Sequence, residues 1–219
     1  MKIVHLYIFY VVNSTSRYTK KRARIGRVLA VKGFRRKGFQ DYVFSGTGEA
    51  FFEVSDKTSP LSQYGKTKLE GEQVVKELLS NYFIVRISWV FGKNGANFVK
   101  TMLRLGAERE ELNVVADQIG SPTYTKDLAP LLCDMIVSEK YGVYHATNEG
   151  ICSWAEFAKE IFALSNMQVK VNEITSEQYK TKAVRPKNSR LSKQSLLEAG
   201  FELLPHWKDA LKRYLEEIV

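Results

Sequence analysis

Helical and strand patterns alternate along the chain from about residue 56 to its end, and this alternation restricts the fold more than any other feature of the sequence. Residues 83–88 form a short run rich in β-branched side chains, which is typical of a strand covered on both faces. Strands that alternate with helices in this way belong to parallel sheets. We therefore expect an α/β fold.

Capping and turn residues place the boundaries of these elements. Ser62 or a neighbour can cap the first helix, and Ser153 with Glu156 has the spacing of a capping box. Gly200 ends one later helix, and Pro205 precedes the last one. The predicted helices are 62–79, 97–105, 125–137, 153–164, 192–199 and 205–217, and the predicted strands are 83–88, 113–116, 142–146 and 169–174.

Basic residues are concentrated at the start of the chain, which carries a formal net charge of +9. Residues 1–40 contain 11 Lys or Arg and no Asp or Glu, whereas residues 41–219 contain 22 basic and 24 acidic residues. Four fifths of the chain therefore has the charge balance of an ordinary cytosolic protein. Because residues 17–37 lack interleaved aromatic residues and any known binding motif, we expect no nucleic-acid partner.

Neither the cysteines nor the first apolar run indicates secretion. Cys133 and Cys152 have no pairing framework around them, so we expect two free thiols and a cytoplasmic protein. Residues 3–12 are too few to span a bilayer, and no small-residue cleavage site follows them. We interpret this run as a strand or a disordered end, and we expect no membrane partner.

Tyr64 and Lys68 form the most informative local pattern. Their spacing of four places both side chains on one face of a helix. An ammonium fixed beside a phenol favours the phenolate and lowers a pKa that starts near 10. The pair can therefore serve as a general acid–base pair, although a Tyr and a Lys at this spacing occur by chance in many proteins.

The surrounding residues make this pattern specific. The chain from residue 41 to 219 resembles the dTDP-4-dehydrorhamnose reductase family, within the extended short-chain dehydrogenase/reductase superfamily. The matching segments are 58–72 (TSPLSQYGKTKLEGE), 41–48 (DYVFSGTG), 86–92 (RISWVFG), 97–103 (NFVKTML), 117–124 (DQIGSPTY), and Arg185-Pro186 with Asn188-Ser189.

The resemblance implies a fold and a set of roles. It implies the C-terminal part of a Rossmann-type parallel sheet with a smaller C-terminal lobe that binds a sugar nucleotide. Tyr64 would donate a proton to the C4 carbonyl of dTDP-4-dehydrorhamnose as NADPH, or NADH, delivers hydride, and Lys68 would hold the nicotinamide ribose. Asp41 and Trp89 would line the substrate site. No metal ligand is implied, and a requirement for magnesium and a homodimer are left open.

Residues 1–40 depart from the family pattern. The family has Thr or Ser where this chain has Gln40, so the role of that position is in doubt. A dinucleotide site needs a glycine-rich turn after a first strand, yet this segment has only Gly26, Gly33 and Gly38 and no such motif. The resemblance implies that residues 41–43 end a buried parallel strand, so three adjacent cations at 35–37 stand where that strand would lie.

We therefore divide the chain into a non-matching basic segment, 1–40, and a reductase body, 41–219. The first segment is interpreted as a different reading frame or an unrelated start, with an evolved basic arm as the alternative, and we expect it to lie outside the core. Residues 1–219 by themselves are then expected to bind a nicotinamide cofactor weakly and to be inactive. Two other functions stay open: a sister sugar-nucleotide epimerase or dehydratase, and a non-enzymatic regulatory or interaction protein.

Overall fold

The computed structural model describes residues 5–7, 40–179 and 185–218, which form alternating helices and short strands. The predicted α/β class is confirmed. The helices are α1 (Gln63–Leu78), α2 (Phe98–Glu108), α3 (Thr125–Val137), α4 (Trp154–Leu164), α5 (Gln194–Glu198) and α6 (Trp207–Ile218). The strands are β1 (His5–Tyr7), β2 (Tyr82–Arg86), β3 (Val90–Phe91), β4 (Glu111–Val115), β5 (Ile119–Gly120), β6 (Thr123–Tyr124), β7 (Gly142–His145), β8 (Cys152–Ser153), β9 (Lys170–Ile174) and β10 (Asn188–Ser189).

Strand β2 is the centre of a three-stranded parallel sheet in the order β1-β2-β7. Its side chains alternate between two covered faces, as expected for a buried strand. Phe83 and Val85 belong to the hydrophobic cluster that includes residues of α3. On the other face, Arg86 forms an ion pair with Glu72 of α1.

The capping predictions are confirmed. The Ser62 side chain accepts a hydrogen bond from the Gly65 amide at 3.0 Å and begins α1. Ser153 and Glu156 form a reciprocal capping box at the start of α4. Each side chain satisfies amides that a helix leaves unpaired at its first turn, so the sequence alone fixes where these helices begin.

Other boundaries differ from prediction. Helix α5 is shorter than the predicted 192–199, and α2 continues three residues beyond 105. The two-residue strands β3, β5, β6, β8 and β10 were not predicted, because they are too short to show a periodic pattern and form only by pairing with distant segments.

Residues Gln40–Val43 form a 3₁₀ turn, whereas the resemblance implied the end of a buried strand for 41–43. The turn closes through a hydrogen bond from the Phe44 amide to the Asp41 carbonyl at 3.1 Å. The Val43 carbonyl instead accepts from the Ser59 amide at 2.9 Å. This segment is therefore held by the loop before α1 rather than by a neighbouring strand.

Two large hydrophobic clusters hold the described parts together. One joins β2 and α3 to Leu196, Phe201 and Leu204. The other joins α2, α4, α6 and β4, with Phe91, Phe157 and Tyr214 among its members. Strand β4 contributes Leu112 and Val114 to this second cluster and pairs with β9 in a separate two-stranded parallel sheet.

The backbone of His5–Tyr7 pairs in parallel with residues 82–84 of β2. This agrees with a strand as one of the two interpretations of residues 3–12. Residues 1–4 and 8–39 lie outside the described residues, so the division at residue 40 and the placement of the basic segment outside the core stay predictions.

Candidate active site

Tyr64 and Lys68 lie in the first turns of α1 on the same side of the helix, as their spacing predicts. The Lys68 Nζ lies 5.3 Å from the centre of the Tyr64 ring. Only 8% of the Lys68 surface is exposed, which is unusual for a lysine. The structure thus brings a phenol and a shielded ammonium together.

The environment of Tyr64 changes the expected direction of its pKa. Its hydroxyl is enclosed and has no hydrogen-bond partner among the described residues. Burial, followed by the nearby Asp41 and Tyr42, raises the pKa of Tyr64, and burial lowers the pKa of Lys68. The expectation that Lys68 lowers the pKa of Tyr64 was wrong. The ammonium lies over the ring, and the free-energy cost of burying a phenolate exceeds the stabilisation that the ammonium gives it. Tyr64 is therefore a neutral phenol at neutral pH, the form that can donate a proton.

Asp41 is almost fully buried, with 1% of its surface exposed. The Ser189 hydroxyl donates a hydrogen bond to Asp41 Oδ2, whereas Oδ1 has no partner among the residues described. Burial raises the pKa of Asp41 to about 7, although the bond from Ser189 and two backbone bonds oppose the shift. The carboxyl group is thus held neutral under mildly acidic conditions.

Tyr42 connects Asp41 with Tyr64. Its ring packs edge-on against the Tyr64 ring with centres 5.7 Å apart. Burial and the adjacent Asp41 raise the pKa of Tyr42 to about 12. Gly65 permits this packing, because a Cβ at that position would lie 2.2 Å from the Tyr42 carbonyl oxygen. The glycine therefore allows α1 to approach the 3₁₀ turn closely.

Trp89 has a left-handed backbone conformation, with φ at +48°, which is strained for a bulky side chain. Its indole stacks on that of Trp154, with ring centres 3.7 Å apart. The Thr123 amide donates a hydrogen bond to the Trp89 carbonyl oxygen at 3.2 Å, which helps to hold the Trp89 backbone in this conformation. A Cβ at Gly120 would lie 2.9 Å from the indole, so glycine leaves room for the ring. Strain of this kind is concentrated at functional sites.

Asp41 and Trp89 line one shallow cleft that opens to solvent. Tyr64 and Lys68 do not line it, but Tyr42 forms part of its wall and contacts Tyr64. The lining residues are Asp41, Tyr42, Trp89, Gln118, Trp154, Arg185, Pro186 and Ser189.

Sequence reasoning did not identify Trp154, Gln118, Arg185 or Ser189 as site residues. The last three lie in segments on which the family resemblance rests, and this resemblance was the one sequence signal that could have identified them as site residues. Trp154 follows the capping residue of α4, and nothing in its local sequence indicates that it faces a cleft.

The Tyr64 hydroxyl and the Lys68 ammonium are suited to the hydroxyl groups of a ribose, which both donate and accept hydrogen bonds. Gln40 begins the 3₁₀ turn, and the role of its side chain stays a prediction. Within residues 5–7, 40–179 and 185–218, no group of three or more acidic, His or Cys side chains could hold a metal ion. None of the helices in those ranges is long and apolar enough to cross a membrane.

Cys133 is exposed and Cys152 is buried, and both are free thiols, as predicted.

Comparison with known proteins gives the family. The sequence profile of the RmlD substrate binding domain matches residues 40–219. Spore coat polysaccharide biosynthesis protein SpsK of Bacillus subtilis is 45% identical over 177 residues, which cover 81% of this chain and 62% of that protein. A dTDP-4-dehydrorhamnose reductase of Aggregatibacter actinomycetemcomitans is 45% identical over 186 residues, with 78% of this chain and 63% of that protein covered.

Solved structures agree with the sequence match. The crystal structure of a dTDP-4-dehydrorhamnose reductase from Bacillus anthracis in complex with NADP superposes with a TM-score of 0.79 at 48% identity, covering 82% of this chain and 64% of that one. The chain thus spans less than two thirds of the length of these relatives. The profile match and the superposition place it in the family of RmlD substrate-binding domains.

Proposed function

We propose that this chain supplies the substrate-binding and proton-donating part of a dTDP-4-dehydrorhamnose reductase. The reaction is the NADPH-dependent reduction of the C4 keto group of dTDP-4-dehydro-L-rhamnose to dTDP-L-rhamnose. The observation that carries the proposal is the neutral Tyr64 phenol, whose hydroxyl has no hydrogen-bond partner among the described residues and whose ring packs against Tyr42 in the wall of a cleft lined by Asp41 and Trp89. The reductases among its relatives support the same conclusion.

Tyr64 acts as the general acid in this proposal. When bound, NADPH, or NADH, would supply hydride to the C4 carbon. The Tyr64 phenol gives its proton to the C4 oxygen, so that the ketone becomes an alcohol. The Lys68 ammonium stabilises the phenolate that remains until the phenol regains a proton from solvent. The same two side chains would hold the nicotinamide ribose.

The cleft has groups suited to a sugar nucleotide. The stacked indoles of Trp89 and Trp154 provide a flat aromatic wall for a sugar or base ring. Asp41 Oδ1 is a buried oxygen without a partner among the residues that the structure describes, and it can accept a hydrogen bond from a sugar hydroxyl. The Arg185 guanidinium at the same cleft suits a diphosphate. Such a substrate and two free thiols fit a protein of the cytoplasm.

The alternatives are weaker. A sister epimerase or dehydratase would share the Tyr and Lys, but Trp89 in its sequence context and residues 97–103 favour the reductase. A non-enzymatic, reductase-like binding protein would keep the cleft but would not need a proton donor.

Turnover is tested in a chimaera, because this chain covers less than two thirds of the length of its relatives. Residues 40–219 are joined to the preceding part of the Bacillus anthracis reductase, and oxidation of NADPH is followed with the sugar nucleotide. Tyr64→Phe should lower kcat by roughly 10²–10⁴ while NADPH affinity changes little, since only the proton donor is lost.

Tyr141→Phe is the matched control, because the Tyr141 hydroxyl is also buried and also lacks a hydrogen-bond partner among the described residues. Its ring packs against Phe83, with ring centres 5.3 Å apart, and it does not line the cleft. This variant should keep full turnover. Retained turnover in Tyr64→Phe would reject the assignment. A folded chimaera that binds both ligands without turnover would favour the non-enzymatic alternative.

A further inference from the structure

A buried ion pair joins α1 to the central strand. Arg86 donates to both carboxylate oxygens of Glu72, from Nε at 3.0 Å and from a terminal nitrogen at 2.8 Å. Each residue is only 1% exposed. A bidentate ion pair of this kind, called the fork below, fixes both the separation and the direction of the two side chains.

His145 continues the network to β7. The second terminal nitrogen of Arg86 lies 3.3 Å from His145 Nε2, and His145 Nδ1 lies 3.1 Å from the Ser192 carbonyl oxygen. Arginine can only donate and a carbonyl can only accept, so Nε2 accepts and Nδ1 carries the proton. Burial and Arg86 lower the pKa of His145 to about 3, which keeps the ring in this neutral form.

The position of Glu72 on α1 ties this network to the candidate active site. Glu72 follows Lys68 by four residues and Tyr64 by eight, so the three side chains share one face of the helix. The buried residues of α1 are Gly65, Lys68, Glu72 and Val75, of which Val75 is the one with a sizeable apolar side chain. Leu69 is partly buried and packs against a small hydrophobic cluster. Few apolar side chains therefore hold α1, and the Glu72 carboxylate gives it a charged, directional contact with Arg86.

We infer that Glu72, Arg86 and His145 are positioning residues that fix the rotation and height of α1 and thereby the placement of Tyr64 and Lys68. A buried ion pair adds little net stability over a well-packed apolar pair, so its value lies in the geometry that it imposes. The inference rests on the proposed role of Tyr64 and Lys68. It predicts that weakening the fork displaces the phenol even when the fold survives.

The test uses the full chain with ¹³C-labelled tyrosine and needs no cofactor or turnover. The Tyr64 Cζ resonance is assigned by its loss in Tyr64→Phe. Glu72→Gln keeps the side-chain shape without the charge, and Arg86→Lys keeps the charge without the fork. Both should shift the Tyr64 resonance and increase hydrogen exchange of the amides at 66–68 by about tenfold or more.

Arg213→Lys is the matched control, because Arg213 also forms a two-point pair, with Asp127 at 2.6 and 2.8 Å, but joins α6 to α3. It should lower the melting temperature while leaving the Tyr64 resonance unchanged. An unchanged Tyr64 resonance in a folded Glu72→Gln protein would overturn the inference.

If the single variants unfold, the double variant Glu72→Gln with Arg86→Met replaces them. Neither new side chain is charged, so the double variant leaves no unpaired charge at these two positions. A shifted Tyr64 resonance in this double variant supports the positioning role, and a resonance at the wild-type position rejects that role. The readout is a chemical shift, so failure of Tyr64→Phe to reduce turnover in the chimaera would contradict the proposed function and leave this test intact.

Discussion

The Ser189 hydroxyl donates a hydrogen bond to the buried carboxyl group of Asp41, across 148 positions of sequence. This bond joins the segment before α1 to the segment before α5 at the floor of the cleft. The second oxygen of Asp41 has no partner in the described part of the chain, so the carboxyl group is incompletely satisfied where a substrate would bind.

The first prediction concerns the pH dependence of stability. Burial raises the pKa of Asp41 from 3.8 to about 7, so the native state holds this proton more tightly than the unfolded chain. Protonated Asp41 therefore contributes to the free energy of unfolding. This contribution is fully present below pH 3.8 and is lost as the pH rises through 7, by at most about 1.4 kcal/mol per pH unit. Asp41→Asn should therefore gain in unfolding free energy relative to the wild type over this range, as measured by urea denaturation.

Ser189→Ala gives an independent check on that prediction. Loss of its hydrogen bond removes a contact that favours the ionised carboxylate, so the midpoint of the pH effect should move upward. Parallel stability curves for the wild type and Asp41→Asn between pH 4 and 8 would show that Asp41 does not titrate in this way.

The second prediction concerns the close approach of α1. Gly65→Ala should reduce the unfolding free energy by about 2–4 kcal/mol, because the new methyl group would meet the Tyr42 carbonyl oxygen at 2.2 Å. Gly95→Ala is the control, since its Cβ would meet nothing within 4 Å and only its φ of +81° opposes the change. It should cost about 1–2 kcal/mol. Equal losses would contradict a specific close contact at Gly65.

The third prediction concerns the aromatic wall. Trp154→Leu should weaken sugar-nucleotide binding by about tenfold or more in calorimetry, because Trp89 loses the ring that holds it in a strained conformation. Trp207 belongs to the same hydrophobic cluster but does not line the cleft. Trp207→Leu should therefore lose similar stability with unchanged affinity. A fall in affinity in both variants would point to general loosening of this hydrophobic cluster.

The fourth prediction concerns the cofactor. Residues 1–219 should bind NADPH with a Kd weaker than about 1 mM in calorimetric titration, because residues 1–40 offer no glycine-rich turn for a pyrophosphate. In the proposed function, Tyr64 and Lys68 would contact only the ribose at the nicotinamide end. Micromolar binding or turnover by this chain would contradict the prediction and indicate that its basic segment takes the place of that turn.

The sequence by itself determined the elements that depend on local interactions. Ser62 and the Ser153–Glu156 capping box fix helix starts because their partners lie within one turn. The apolar run of β2 indicates a buried strand, since burial on both faces requires apolar side chains at nearly every position. The spacing of Tyr64 and Lys68 likewise places both on one helical face.

The tertiary structure decided what depends on distant contacts and on burial. The stack of Trp154 on Trp89 and the bond from Ser189 to Asp41 join residues that no local pattern relates. The pKa of Tyr64 rises rather than falls, because the free energy of a charge depends on how far the surrounding protein excludes water. That exclusion is a property of the packed molecule, and the spacing of residues along the chain does not contain it.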